Sequence, residues 1–357
     1  MDEGRREAEE LRQEIARIDE QLISSLHRRA NVSKALGRLR SEYGPSVVAS
    51  VSDHGSMRPL APQARGDMPE DALRDIFREI HAACLALEVP SRVAHVGPEG
   101  GPGHAVVRRR FGRGPTVSVE STGAALEEVT RKRAQLAVVP FETSTEGPVQ
   151  GTLLALLASD LRIAEVIDAK YHLHLMSRGG SVEGIERVYV TPGDHARCQR
   201  FLSSLSSNLS IVDVPTPLLA CQRAAEDRTG AAIADDSFGG DAGLQIAHRS
   251  VLDAGESRVR YAVIAARPSG RTGKDMTSLV FAAQDGPGSL LDVLRVFAER
   301  GVNLTNIQSH PADGDVWRYL FHVEMSGHLT DRPLVTAFEE MKRVTRFFKV
   351  LGSYPAP

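Results

Sequence analysis

Residues 275–355 read DMTSLVFAAQDGPGSLLDVLRVFAERGVNLTNIQSHPADGDVWRYLFHVEMSGHLTDRPLVTAFEEMKRVTRFFKVLGSYP. Runs rich in β-branched and aromatic residues alternate here with runs whose apolar residues recur at helical spacing. The order is strand, helix, strand, strand, helix, strand, the βαββαβ arrangement of a ferredoxin-like sandwich. Gly286-Pro287-Gly288 falls between the first strand and its helix. Glycine lets backbone N–H groups approach a ligand there, and a helix N-terminus favours an anion such as a carboxylate.

The segment resembles the ACT domain, an amino-acid sensor. GSLL (288–291) and QSHP (308–311) stand where the phenylalanine-sensing versions attached to prephenate dehydratases carry GALV and ESRP, and LGSYP closes those enzymes too. The resemblance implies L-phenylalanine as effector, bound between two such domains. Its contacts would be Gly288, Ser289, Leu290 and Leu291 on one side and a turn of Gln308, Ser309, His310 and Pro311 on the other. Gln308 and His310 replace a Glu and an Arg, which removes full charges but keeps hydrogen-bonding ability.

Upstream, Leu11, Ile15, Ile18, Leu22 and Leu26 recur at spacings of three and four, which predicts one long helix from about Glu7 to Arg40. SEYGPSVVASVSDHGSMRPLAPQARGDMPED, rich in Ser, Gly and Pro, reads as an irregular connector over 41–70. A second helix begins at Asp71 and ends at Pro90. Two helices are too few to bury their own core, so a second copy is expected against them. Arg29 and Arg40 are about three turns apart and share a face, whereas Arg12 lies roughly 25 Å from Arg29. One small dianion held by all three needs Arg12 from another chain. This segment resembles the helical chorismate mutases, and the resemblance implies chorismate bound by Arg12, Arg29, Arg40 and Glu88. Arg40 stands where that family usually has Lys, and nothing in SVSDHGSM aligns with its middle helix.

Between Arg92 and Arg267, short β-rich runs alternate with helical ones, which predicts α/β structure with mainly parallel sheets. RVAHVGPEGGPGH (92–104), AVVPFETSTEGPV (137–149) and ESRVRYAVIA (256–265) resemble, in order, the GPEGTFSH, PIENSTEGSV and NKTRF motifs of prephenate dehydratases. That resemblance implies an inter-lobe cleft whose catalytic groups are Glu99, His104, Thr143, Ser144, Val259 and Arg260, with Arg260 on a substrate carboxylate and Ser144 or Thr143 donating hydrogen bonds. Pro140, Glu142, Ser144, Thr145 and Gly147 keep the motif. Gly101, Gly103 and Thr143 depart from it, and Val259 replaces the Thr expected beside the departing hydroxyl.

With 43 Lys and Arg against 46 Asp and Glu, the net charge of −3 provides no global basic field for a nucleic-acid or membrane partner. Cys84, Cys198 and Cys221 lie far apart, without zinc or disulfide spacing, and the polar N-terminus and lack of a long apolar run suggest a cytoplasmic protein. His172 and His174 alternate on one strand face without a recognisable third ligand, so no metal and no cofactor is expected. The expected architecture is multidomain: an all-α chorismate-mutase-like domain (1–90), a bilobal α/β, periplasmic-binding-protein-like dehydratase domain (91–267) and a ferredoxin-like ACT domain (275–357). The activity implied is conversion of prephenate to phenylpyruvate, with chorismate rearrangement alongside, in a homodimer or larger homo-oligomer. Loss of the Thr leaves two alternatives open: decarboxylation to a non-aromatic keto acid, or an inactive amino-acid-binding regulator.

Overall fold

The computed structural model describes residues 2–43, 67–88, 92–144, 147–205, 209–253, 257–311 and 319–356. Most of the expected connector, including SVSDHGSM, and Thr145 lie outside the described residues, as do the side chains of Arg40, Glu88 and Pro311. Two compact units result, one built on the two N-terminal helices and one holding every sheet. No described helix is long and apolar enough to cross a membrane.

In the helical unit, α1 runs Asp2–Tyr43 and packs against α2, Glu70–Glu88. The apolar stripe that predicts α1 is largely uncovered: Leu11 is 61% exposed, and Ile15, Ile18, Leu22 and Ile23 are similarly bare.

The second unit opens with β1 (Val93–Val96), α3 (Pro102–Phe111), β2 (Thr116–Val119), α4 (Thr122–Thr130), β3 (Leu136–Thr143), β4 (Gly147–Pro148), α5 (Gln150–Leu157) and β5 (Arg162–Tyr171). These strands are joined by the later β11 (Ser257–Ala265) in a sheet of order β2-β1-β3-β11-β5, with β4 on β3. A second lobe holds β6 (His174–Ser177), β7 (Arg187–Val190), α6 (Pro192–Arg197), α7 (Gln199–Leu205), β8 (Ser210–Asp213), α8 (Pro217–Glu226), β9 (Gly230–Ala234), α9 (Asp236–Gly239) and β10 (Gln245–His248), its sheet ordered β10-β6-β9-β7-β8.

Both sheets are mixed rather than mainly parallel. β11 enters the first sheet antiparallel to β3 and β5, and β6 lies antiparallel between β9 and β10. The apolar run 163–176, which reads as one strand, is divided between β5 and β6 in different sheets. Polar and apolar residues alternate from Asp168 to Leu175, straight through the join, so the period carries no sign of the division. The run 192–205 likewise breaks into α6 and α7 at Cys198, where the φ of −120° departs from helical geometry.

The remaining elements are β12 (Asp275–Ala283), α10 (Ser289–Ala298), β13 (Leu304–Pro311), β14 (Tyr319–Ser326), α11 (Arg332–Val344) and β15 (Thr345–Pro355), in the order the sequence predicts. They form an antiparallel sheet, β13-β14-β12-β15. One face carries Leu279, Phe281, Val323 and Met325 beneath α10 and α11, whose own apolar faces supply Val293, Phe297, Leu334 and Met341. The other face presents Val280, Leu351 and Tyr354, and packs into the core of the first lobe with Phe141, Leu153, Leu156 and Ile163. This second burial is why the C-terminal segment and the two lobes form one unit. Lys349 of β15 adds a polar tie, donating to the carbonyls of Leu157 (2.8 Å) and Ser159 (2.5 Å) at the end of α5. Those carbonyls have no partner within the helix.

Candidate functional site

The loop from β1 to α3 lies where the two lobes meet. A Cβ on Gly100, whose φ is +79°, would come within 2.5 Å of the backbone nitrogen of Leu218 on α8. Gly103 is equally confined, with a would-be Cβ 2.5 Å from the Val96 carbonyl, and at Gly101 the Pro98 carbonyl is 2.9 Å away. The departures at Gly101 and Gly103 therefore accompany a backbone with no room for the Thr and Ser of the resembling motif. α3 is further tied to the second lobe by Arg108, paired with Asp241, and by Arg109, which reaches Asp235 (2.7 Å) and Asp236 (3.1 Å).

His104, on α3, accepts a hydrogen bond from Gly100 N at 2.9 Å and stacks on His95, with ring centroids 4.8 Å apart. Its other neighbour is the ring of Phe238 on α9, at 4.9 Å. Burial, then the Arg108 charge, lowers the His104 pKa, against a smaller opposing effect of Glu99. His95, fully enclosed, is lowered to about 4 by burial and by His104, so both rings are neutral near pH 7. Glu99 is exposed on the loop.

Thr143 and Val259 face each other across β3 and β11, and Ser144 N continues the ladder to the Arg258 carbonyl at 3.0 Å. Successive strand residues point to opposite sides of a sheet, so Val259 and Tyr261 look one way and Arg260 the other. Val259 and Tyr261 line a small cavity, of about 10 Å³, with Pro102, Ala105, Val106, Arg109, Ala169 and Lys170. Motif reading misses Arg109, Lys170 and Tyr261. The spacing of Val259 and Tyr261 on one strand is the signal that could have found the tyrosine. Burial pushes the Tyr261 phenol up to about 12, so it keeps its proton and has an O–H to donate.

Arg260, expected on a substrate carboxylate, is engaged by carboxylates of the protein itself. It points toward the C-terminal sheet, where Nη1 donates to Glu142 at 2.6 Å and the two Nη atoms grip Glu324 of β14 at 2.8 and 2.9 Å. Burial works against its charge, but the hydrogen bonds and charge of Glu324, then Glu142, raise its pKa overall.

The segment 308–311 is part of strand β13 rather than a turn. Gln308 donates to Glu142 Oε1 at 3.3 Å, and His310 lines a small apolar cavity with Leu153, Leu154, Leu157, Leu320 and His322. Both side chains thus face the first lobe, while Ser309 is exposed. Gly288 caps α10 with a φ of 85°, a left-handed conformation that favours glycine, and Gly288 and Leu291 are exposed. In the helical unit, Arg29 donates to the Ile80 carbonyl (3.3 Å) and to His81 Nδ1 (3.0 Å) on α2. Arg12 projects into solvent beside Glu9, so the helix does not bring Arg12 and Arg29 together within one chain. His174 Nδ1 accepts from Ser250 N at 3.2 Å, and its ring stacks on His172.

Three family models match the chain: chorismate mutase type II over residues 11–89, prephenate dehydratase over 93–269 and ACT domain over 277–342. The bifunctional chorismate mutase/prephenate dehydratase of Aquifex aeolicus is 36% identical over 98% of both chains. Among solved structures, the prephenate dehydratase of Arthrobacter aurescens in complex with L-Phe is 27% identical, with a TM-score of 0.60, over 74% of this chain and 90% of that one. A protein described as a quorum-quenching acylase, GqqA, is 25% identical with a TM-score of 0.61, over 74% of this chain and 98% of its own.

Proposed function

Since this chain belongs to the family of bifunctional chorismate mutase/prephenate dehydratases of phenylalanine biosynthesis, with an ACT regulatory domain, we propose that prephenate is converted to phenylpyruvate at the wall around Val259 and its small cavity. The observation that carries this reading is the lining of that cavity: Lys170, and Arg109 with its partners Asp235 and Asp236, beside an apolar wall and one phenol. Cations suit the carboxylates of the substrate, and the apolar wall suits its ring.

In the reaction the ring carboxylate leaves as carbon dioxide. Its bonding electrons aromatise the ring as the ring carbon–oxygen bond breaks, and the departing oxygen takes up a proton to leave as water. A donor beside that oxygen is therefore required. Val259 has none. Tyr261, two residues on and facing the same cavity, supplies an O–H close to where the expected Thr would have stood, and Lys170 lies on the same wall. Glu99, His104, Thr143 and Ser144 are kept as further proposed members of the site, with His104 neutral and packed against Phe238. Arg260 holds strands rather than substrate.

The helical unit is read as the mutase, with Arg29, Arg40 and Glu88 of one chain and Arg12 of a second copy around chorismate. The ACT segment is read as the phenylalanine sensor, through Gly288 to Leu291 and the exposed side of β13 in a paired domain. Purified protein incubated separately with chorismate and with prephenate, its products resolved by mass and ultraviolet absorbance, tests both sites. Phenylpyruvate from prephenate is expected. A non-aromatic keto acid or no product would refute the dehydratase reading.

A further inference from the structure

Glu324 belongs to the C-terminal sheet, yet the guanidinium it holds belongs to the first lobe. One carboxylate oxygen accepts from Arg260 Nη1 at 2.8 Å; the other accepts from Arg260 Nη2 at 2.9 Å and from the Tyr354 hydroxyl at 2.5 Å. Glu324 is 2% exposed and Tyr354 wholly buried. Arg260 Nη1 also donates to Glu142 Oε2, whose other oxygen accepts from Gln308 Nε2. The result is one continuous hydrogen-bonded chain from Gln308 through Glu142, Arg260 and Glu324 to Tyr354. Its two ends lie in the sensor sheet and its middle in the catalytic lobe.

The middle sits at a telling register. Arg260 lies opposite Glu142 on β11 and β3, and the adjoining pair is Val259 opposite Thr143. The same two backbones therefore carry the buried ion cluster toward the sensor and the cavity wall away from it. A bidentate guanidinium–carboxylate pair fixes orientation as well as distance, and inside a protein such a network has few alternative arrangements. Phe141, on β3 itself, meets the His322 ring of β14 edge-on at 5.4 Å, which limits sliding further.

We propose that Glu324, acting through Arg260, is a positioning residue of the dehydratase site, and that the sensor sheet acts on that site through this contact. The proposal rests on the dehydratase reading above. It supplies a defined mechanical route: β13, which carries Gln308 toward Glu142, and β14, which carries Glu324 toward Arg260, both pull on the strand pair bearing Val259 and Thr143. Small displacements there matter, because misplacement by about 1 Å can cost on the order of a hundredfold in rate.

The test uses the full chain with two variants. Glu324→Gln keeps the shape and one acceptor but loses the charge; Tyr354→Phe removes one hydroxyl and leaves the ion pair. Three quantities are read: kcat and KM for prephenate, thermal melting, and amide hydrogen exchange over residues 136–143 and 257–265 with and without L-phenylalanine. For Glu324→Gln, kcat is expected to fall about tenfold with KM changed less than about threefold, and β11 amides to exchange faster; Tyr354→Phe should give a smaller change in the same direction. Phenylalanine should slow exchange over 257–265 in the wild type and not in Glu324→Gln. Wild-type kcat and exchange in a folded Glu324→Gln would overturn the proposal, as would wild-type β3 and β11 amides indifferent to phenylalanine. If Glu324→Gln fails to fold, Tyr354→Phe decides the matter by the same readouts. A wild type that exchanges as expected but leaves prephenate untouched would refute the dehydratase reading and not the coupling.

Discussion

Gly352 of β15 lies directly against the backbone of Ile163 on β5, so close that a Cβ would overlap its carbonyl oxygen and amide nitrogen. The obstacle is main chain in a buried strand and cannot swing aside. Gly352→Ala should therefore pry the C-terminal sheet from the first lobe rather than merely perturb a loop. Overpacking of this kind costs typically about 1–3 kcal/mol. Limited proteolysis should cut the linker around residues 266–274 faster in the variant, and wild-type cleavage and melting together would contradict this packing.

The cavity beside Val259 gives two opposed expectations. Val259→Thr adds a hydroxyl with little change of shape and should raise phenylpyruvate formation, by up to about a hundredfold if the new group reaches the departing oxygen. Tyr261→Phe removes the existing O–H and should lower kcat by about the same factor. Steady-state assay of both separates the donors. An unaffected Tyr261→Phe would remove the tyrosine from the mechanism.

The bare stripe on α1 predicts self-association. Ile15, Ile18 and Leu22 are each about half exposed, and a contiguous apolar face of this length is rarely left in water. Light scattering at micromolar concentration should report at least a dimer. Substituting Ile15 and Leu22 by Asp should shift it toward monomer and abolish mutase turnover, since Arg12 and Arg29 lie apart within one chain.

Acid should destabilise the fold through His322. Burial holds its pKa down at about 4, with Glu324 opposing and His310 adding to the effect. Its folded value lies below the unfolded value of about 6.5, so the unfolded chain takes up a proton first. Stability from this group is full above about pH 6.5 and is lost as pH falls toward 4, on the order of 3 kcal/mol in all. Urea unfolding at pH 7 and pH 4.5 should show a smaller acid loss in His322→Asn, which retains a partner for Ser278, whose Oγ lies 2.8 Å from His322 Nε2. Equal losses in variant and wild type would rule His322 out as the source.

Much of the C-terminal architecture is legible in residues 275–355, because helical and strand periods alternate cleanly there and Gly288 marks the turn into α10. The strand β10 is not legible: QIAH is short and half polar, below the length at which alternation can be recognised. Arg260 shows a different limit. Motif spacing locates it beside Val259, but which face of β11 it occupies depends on pleat, and what lies on that face is a strand some sixty residues downstream. Gln308 and His310 mislead similarly, since a QSHP string reads as a turn while pairing with Leu320 and His322 makes it strand. Tertiary partners, absent from any local pattern, decided these placements.

β15 has a further consequence during synthesis. The ribosome makes β5 long before β15, yet one side of β5 is finished only when β15 and the sheet around it dock there. Until then Ile163 and its neighbours in the lobe core have no cover on that side. Pairings so distant along a chain form late and slowly, so the nascent first lobe passes through an interval in which exposed apolar surface can attract other chains. The contact that joins the sensor sheet to the lobe thereby also sets the time at which the nascent protein becomes safe from aggregation.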